Sequence, residues 1–65
     1  MIDGHCFANL DGFKLVEWPD TFAAVPRIGE RVEGRRGGEF PTLRVVGVTH
    51  TIVNGAPFIR VELHR

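Results

Sequence analysis

Residues 42–65 read TLRVVGVTHTIVNGAPFIRVELHR. Two runs rich in β-branched residues flank the pair Asn54-Gly55, and such residues favour the pleated, half-buried surface of a sheet. Asn and Gly both tolerate the positive φ that a type I′ turn requires, so this pair predicts a two-residue hairpin turn. We therefore predict that the last third of the chain forms one long β-hairpin onto which the rest of the chain packs.

The register of this hairpin predicts which side chains share a face. The expected cross-strand pairs are Val53 with Ala56, His50 with Ile59, Val48 with Val61, and Val46 with Leu63. Because side chains alternate along a strand, one face is predicted to belong to the core, with His50 among its apolar residues Val46, Val48, Ile52, Ile59, Val61 and Leu63. Gly47, halfway along the first strand, predicts a bend or a bulge.

The composition limits the classes of protein that the chain can represent. Its 65 residues predict a single domain, 1–65, and its 43% of hydrophobic residues are typical of a folded chain. Eight basic and eight acidic residues cancel, so no global field recruits nucleic acid or anionic lipid. The single cysteine excludes an intrachain disulfide, and no apolar run is long enough to cross a membrane. Without a signal-peptide pattern at the start, the expected compartment is the cytoplasm.

Residues 5–18 predict a second hairpin, with strands 5–10 and 13–18 around the turn Asp11-Gly12. Pairing across this turn places Phe7, Val16 and Trp18 on one face, although the opposite face is apolar as well. Either a curled sheet covers both faces, or these three residues form an exposed patch that binds a partner. Beyond Trp18-Pro19, the sequence predicts at most one short helical turn before Pro26.

Residues 26–32, PRIGERV, place a proline, an apolar residue, a glycine, an acidic residue and an aliphatic residue in that order. This segment resembles the entry into a strand in SH3-like barrels, and with the layout of five short strands the chain looks like the small uncharacterised bacterial proteins of that architecture. The resemblance implies an all-β, five-stranded SH3-like barrel built from two β-hairpins. SH3-like folds host peptide-binding, nucleic-acid-binding and assembly functions, so the resemblance implies a fold more than a function.

The pattern of reactive side chains argues against catalysis and metal binding. The chain contains no serine and no glycine-rich phosphate loop after a strand, so we expect no enzyme activity and no cofactor. His5 and Cys6 are adjacent and point to opposite faces of a strand, and none of the compact spacings of zinc ligands is present, so we expect no metal site.

His50 is predicted to lie on the apolar face between Val48 and Ile52. Two interpretations remain open: a hydrogen-bonded histidine at the rim of the barrel, or a residue that contacts a ligand or responds to pH. Arginine residues are concentrated in and before the loop 34–38, which contains three glycines. Arg31, Arg35 and Arg36 either belong to a solvated turn balanced by nearby glutamates or bind single-stranded nucleic acid through phosphate contacts.

We therefore expect a non-catalytic interaction or assembly module. It would recognise a protein partner, or a second copy of itself, through Phe7, Val16 and Trp18 and through an unpaired edge strand. The alternative function is weak binding of single-stranded nucleic acid through Arg31, Arg35 and Arg36. No membrane partner is expected.

Overall fold

The computed structural model of the protein describes residues 1–8, 13 and 15–65. They form five strands: β1 (Ile2–Phe7), β2 (Thr21–Phe22), β3 (Arg31–Glu33), β4 (Thr42–Val53) and β5 (Ala56–His64). The strand order in the sheet is β2-β1-β5-β4-β3, in which β1 runs parallel to β5 and the other neighbours are antiparallel. The sheet curls into a half-barrel, so the prediction of a small all-β fold is confirmed.

The long hairpin is formed by β4 and β5, as predicted. Asn54 and Gly55 have φ values of 51° and 79°, the left-handed conformation that their sequence favours. The predicted pairs of Val53 with Ala56, His50 with Ile59, and Val48 with Val61 are all present. The turn chemistry thus defines the register of the outer part of the hairpin.

A β-bulge changes the register at the other end of the hairpin. Val45 pairs with Leu63 and Gly47 pairs with Glu62, so Val46 is the extra residue of the bulge. The predicted irregularity at Gly47 is confirmed, but the predicted pair of Val46 with Leu63 is wrong. Because one inserted residue reverses the alternation of side chains, Val45 is fully buried in place of Val46.

The first hairpin differs from its prediction. β1 pairs in parallel with β5 and is flanked on its other side by the short strand β2. The predicted turn Asp11-Gly12 lies outside the described residues. Within the described part of 13–18 there is no strand, and Glu17 forms an isolated bridge with Arg35. A helical turn after Pro19 is also not formed, because Thr21 and Phe22 belong to β2.

A second hairpin does exist, between β3 and β4. Beyond the paired strands, the chain continues as a narrow ribbon in which the backbones of Arg36 and Glu39 exchange two hydrogen bonds around Gly37-Gly38. Before β3, the predicted strand entry is confirmed: Glu30 N–H donates to Arg27 O, and Gly29 has a φ of 93°, which a type II turn requires at that position.

The core lies on the concave face of the sheet, near the ends of β4 and β5 that are remote from the Asn54-Gly55 turn. Its buried members are Cys6, Val32, Leu43, Val45, Ile59, Val61 and Leu63. Phe13, Trp18 and Phe22 pack against this cluster and are partly buried. No helix among the described residues is long and apolar enough to span a membrane.

Candidate functional site

One edge of β4 has no neighbouring strand over most of its length in the described structure. β3 pairs with β4 only at Thr42 to Arg44, and the segment before β3 adds two hydrogen bonds at Val45. From residue 46 to residue 53, the described chain places β5 on one side of β4 and no strand on the other. This open edge, residues 46–53, therefore presents backbone groups that a further strand could pair with.

The register shows which backbone groups face outward. In a two-residue hairpin, the residues that flank the turn exchange both hydrogen bonds, and hydrogen-bonded pairs then alternate with pairs that are not hydrogen-bonded. Val53 with Ala56 is such a flanking pair, so Thr51 and Thr49 also bond to β5. The N–H and C=O groups of Val48, His50 and Ile52 consequently point away from β5.

Charge distinguishes this edge from the other edges of the sheet. Open edges are normally protected by short strands, charged side chains or proline. β2 is two residues long, and β3 is three residues long with Arg31 and Glu33 as its exposed residues. The open edge of β4, with the sequence VGVTHTIV, contains no Lys, Arg, Asp, Glu or Pro. It lacks each of these protective features over eight residues.

An apolar groove of about 330 Å³ accompanies the edge. It lies at the open end of the half-barrel, and its lining includes Ile2, Val25, His50, Ile52, Pro57 and Ile59. The predicted faces of His50 and Ile52 are correct, since their partners Ile59 and Pro57 line the same groove. The predicted burial of Ile52 in the core is wrong: its side chain is 72% exposed. His50 is exposed as well, and in the described part of the chain no strand covers this end.

The three residues of the predicted partner-binding patch differ in exposure. Phe7 is 39% exposed, whereas Val16 is buried and Trp18 is partly buried against the core. All three border one groove, yet Phe7 also lines a second groove on the outer face with Thr49 and Arg60. Val16 therefore supports the core, as the covered-sheet interpretation expected, and the three do not form one exposed apolar patch.

Trp18 and Val16 are held by an unusually close contact with the backbone of Gly34. A Cβ atom at Gly34 would lie 2.4 Å from Val16 Cγ1 and 2.7 Å from Trp18 Cε3. Two backbone hydrogen bonds between Glu17 and Arg35 join the same segments. This contact packs the segment before Pro19 against the base of the β3–β4 hairpin. Trp18 therefore packs against the core.

The arginines predicted to bind nucleic acid do not converge. The Arg36 guanidinium forms an ion pair of 2.9 Å with Glu39, and Arg35 lies 6.0 Å above the ring centroid of Phe40. Arg31 lines a different groove, together with Arg44 and Arg65. Arg35 and Arg36 lie on the ribbon beyond the paired strands, whereas Arg31 lies at the start of β3 and lines another groove.

Reactive groups are scattered in the described part of the chain. No three His, Cys, Asp or Glu side chains within it lie close enough to hold a metal ion. Cys6 is buried, its Sγ lies 3.5 Å from Pro19 O, and burial raises the pKa of its thiol to about 11. A neutral, buried thiol of this kind is a poor nucleophile.

Sequence reasoning did not single out Arg65 as a neighbour of Arg31. The absence of charge from residues 46–53 was visible in the sequence, but the three-residue length of β3, which leaves that edge open, was not.

Comparisons with models of known protein families, with curated proteins and with solved structures found no match for this chain. The likeness to SH3-like barrels thus rests on residues 26–32 and on the strand layout.

Proposed function

We propose that the protein is a non-catalytic interaction module that accepts an extended polypeptide strand along the open edge of β4. The observation that carries the proposal is the uncharged edge 46–53, which has no strand beside it in the described chain. In strand addition, backbone hydrogen bonds supply affinity, and pockets for alternate side chains supply specificity. The apolar groove beside Ile52 is such a pocket. The SH3-like identity of the half-barrel is part of this proposal and rests on the type II turn before β3 and on the five short strands.

The occupant to which we commit is the same edge of a second copy. Antiparallel pairing centred on His50 would place Val48 opposite Ile52 of the second copy and Ile52 opposite its Val48. These are the residues whose backbone groups face outward, so the three pairs exchange hydrogen bonds without disturbing the ladder between β4 and β5. Apolar pairs on either side of the centre make the edge self-complementary, as a two-fold interface requires.

Charge placed on the edge tests this proposal. Ile52→Lys introduces a cation where a neighbouring strand would lie, and edge lysines oppose strand pairing. Ile28→Lys is the matched control, because Ile28 lies in the turn before β3 and is similarly exposed, 65% against 72% for Ile52. Sedimentation velocity over a range of concentrations should show association for the unchanged protein and for Ile28→Lys, but not for Ile52→Lys. A monomer at every concentration, or equal association of both variants, contradicts the proposal.

His50 lies at the centre of the proposed pairing. In this register the two His50 side chains stand opposite each other, and like charges placed directly opposite destabilise a strand pair. His50→Lys places two cations at the centre and should abolish association, whereas the uncharged His50→Gln should retain it. Equal association of the two variants in sedimentation velocity would contradict this register.

The alternative function, binding of single-stranded nucleic acid through Arg31, Arg35 and Arg36, has weaker support. These arginines are divided between different surfaces, and Arg36 is engaged by Glu39. Exchanging Arg35 and Arg36 for Gln should leave the affinity for a single-stranded oligonucleotide unchanged within about twofold, because neither residue lies in the groove of Arg31. A large loss in this double variant would restore the loop as a binding site.

A further inference from the structure

We infer that Arg31, Arg44 and Arg65 form a binding site for phosphate groups. The three side chains line one groove of about 370 Å³ together with Phe13, Thr42 and Leu43. The groove lies at the end of the sheet that is remote from the Asn54-Gly55 turn. This site is independent of the open edge of β4, so either proposal can fail without the other.

The strand register concentrates positive charge at this groove. Arg31 on β3 is the direct cross-strand partner of Arg44 on β4, and both residues are exposed. On its other side, Arg44 pairs with His64 of β5. Like charges placed directly opposite each other destabilise a strand pair, so an anion shared by Arg31 and Arg44 would relieve their repulsion.

At one end of this row, His64 pairs with Glu62, but no described acidic side chain forms an ion pair with the arginines. The ion pairs of the described residues join Arg36 to Glu39 and His64 to Glu62. Neither pair includes Arg31, Arg44 or Arg65. Glu33, two residues along β3 from Arg31, stands opposite Thr42 and forms no ion pair with the arginines. In a chain with a formal net charge of zero, an unneutralised arginine cluster is a local feature of this surface.

The chemistry of the groove fits a phosphate group. A guanidinium presents a planar fork of donors that binds two phosphate oxygens at once, and arginines from neighbouring strands can approach one phosphate from two sides. The Arg65 guanidinium lies 5.9 Å from the centroid of the Phe13 ring, a cation–π contact that positions it at the groove. Thr42 adds a hydroxyl donor to the lining. The phosphate would come either from a free small anion or from a nucleic-acid backbone.

The test uses ¹⁵N-labelled full-length protein at constant ionic strength, titrated separately with inorganic phosphate and with a mixed-sequence single-stranded DNA of about 12 nucleotides. Arg44→Gln removes the central guanidinium. Arg60→Gln is the matched control, because Arg60 is also an exposed mid-sheet arginine, lies on the neighbouring strand β5 and lines a different groove. Amide shifts should centre on residues 31, 42, 44 and 65. Loss of one bidentate phosphate contact should weaken binding about tenfold in Arg44→Gln and less than twofold in Arg60→Gln.

The two probes separate the sources of the phosphate. Binding of inorganic phosphate that is lost in Arg44→Gln supports a small-anion site. Binding of DNA alone, weakened by salt and lost in Arg44→Gln, supports a site for a nucleic-acid backbone. Absence of binding with both probes, or equal losses in Arg44→Gln and Arg60→Gln, overturns the proposal. Unchanged amide spectra outside the groove will show that the variants remain folded.

Discussion

The two halves of β4 have similar compositions and opposite environments. In the half before the bulge, Leu43 and Val45 are buried between β3, β5 and the core. In the half after the bulge, Ile52 and Val53 are exposed, although they too are aliphatic residues of the same strand. The difference lies in the neighbouring strands. The three-residue strand β3 lies beside the half before the bulge, and in the described chain no strand lies beside the half after it.

This comparison separates the half of β4 that contributes to stability from the half to which we assign the proposed interaction. Burial of apolar side chains stabilises the half near β3, whereas an exposed, uncharged edge adds little stability and exposes the chain to association. Open edges are normally short or charged, and the lack of both features here is the reason for assigning the proposed interaction to the outer half.

The largest effect on the free energy of unfolding is expected from truncating a core side chain that packs beside the buried half of β4. Leu63, the partner of Val45, is fully buried, and Leu63→Ala should lower the free energy of unfolding by about 2–5 kcal/mol. Ile52→Ala should lower it by less than about 0.5 kcal/mol because that side chain is exposed. Urea unfolding followed by tryptophan fluorescence measures both. Similar losses in the two variants would show that the outer half is buried in solution.

Gly34 should give the next largest effect. The methyl group of Gly34→Ala would collide with Val16 and Trp18, and overpacking of this kind costs about 1–3 kcal/mol. Gly38→Ala is the control, because a Cβ at Gly38 would meet no atom within 4 Å. The same unfolding measurement should show a clear loss for Gly34→Ala and little change for Gly38→Ala. An unchanged stability for Gly34→Ala would contradict the close packing of Trp18 on that backbone.

Cys6, a core residue on β1, should make the free energy of unfolding depend on pH. Burial raises the pKa of its thiol from 9.0 to about 11, so the folded protein retains the proton after the unfolded chain has lost it. The contribution of this group to stability is therefore complete below pH 9 and is lost as the pH rises from 9 to about 11. The chain has no tyrosine, so no phenol titrates in this window. The slope of unfolding free energy against pH should be smaller in Cys6→Ala, and an equal slope would contradict the assignment.

The smallest effect is expected at the bulge itself. A Cβ at Gly47 would lie 3.2 Å from Glu62 Oε2, the end of an exposed, flexible side chain. Gly47→Ala should therefore change the free energy of unfolding by less than about 1 kcal/mol, because the carboxylate can move aside. A larger loss would show that the bulge requires glycine for its backbone conformation.

Much of the hairpin could be predicted from sequence because local chemistry determines it. Asn54-Gly55 defined the turn and three cross-strand pairs, and Gly47 indicated the bulge. The bulge reverses which side chains of β4 face the core, and the prediction did not include this reversal. It therefore placed Val46 in the core in place of Val45. The exposure of the side chains near the hairpin turn depends on the length of β3. The alternation of side chains along β4 and β5 does not predict that length.

The N-terminal part was harder to predict because its pairing is non-local. β1 pairs in parallel with β5, more than 50 residues away in sequence, whereas the turn signal at Asp11-Gly12 favoured a local hairpin. The predicted patch inherited this error, since Val16 and Trp18 were placed by pairing with a strand that they do not join. Likewise, Arg31 meets Arg44 only through the register of β3 and β4.

The most direct test of the open edge is amide hydrogen exchange along residues 47–53, measured by NMR in dilute protein and again at high concentration. In dilute protein, the amides of Val48, His50 and Ile52 should exchange rapidly, and those of Thr49, Thr51 and Val53 slowly, because only the latter bond to β5. At high concentration, the three outward amides should become protected in the unchanged protein but not in Ile52→Lys. Protection of Val48, His50 and Ile52 in the dilute monomer would contradict the account, because it would mean that the edge is already paired.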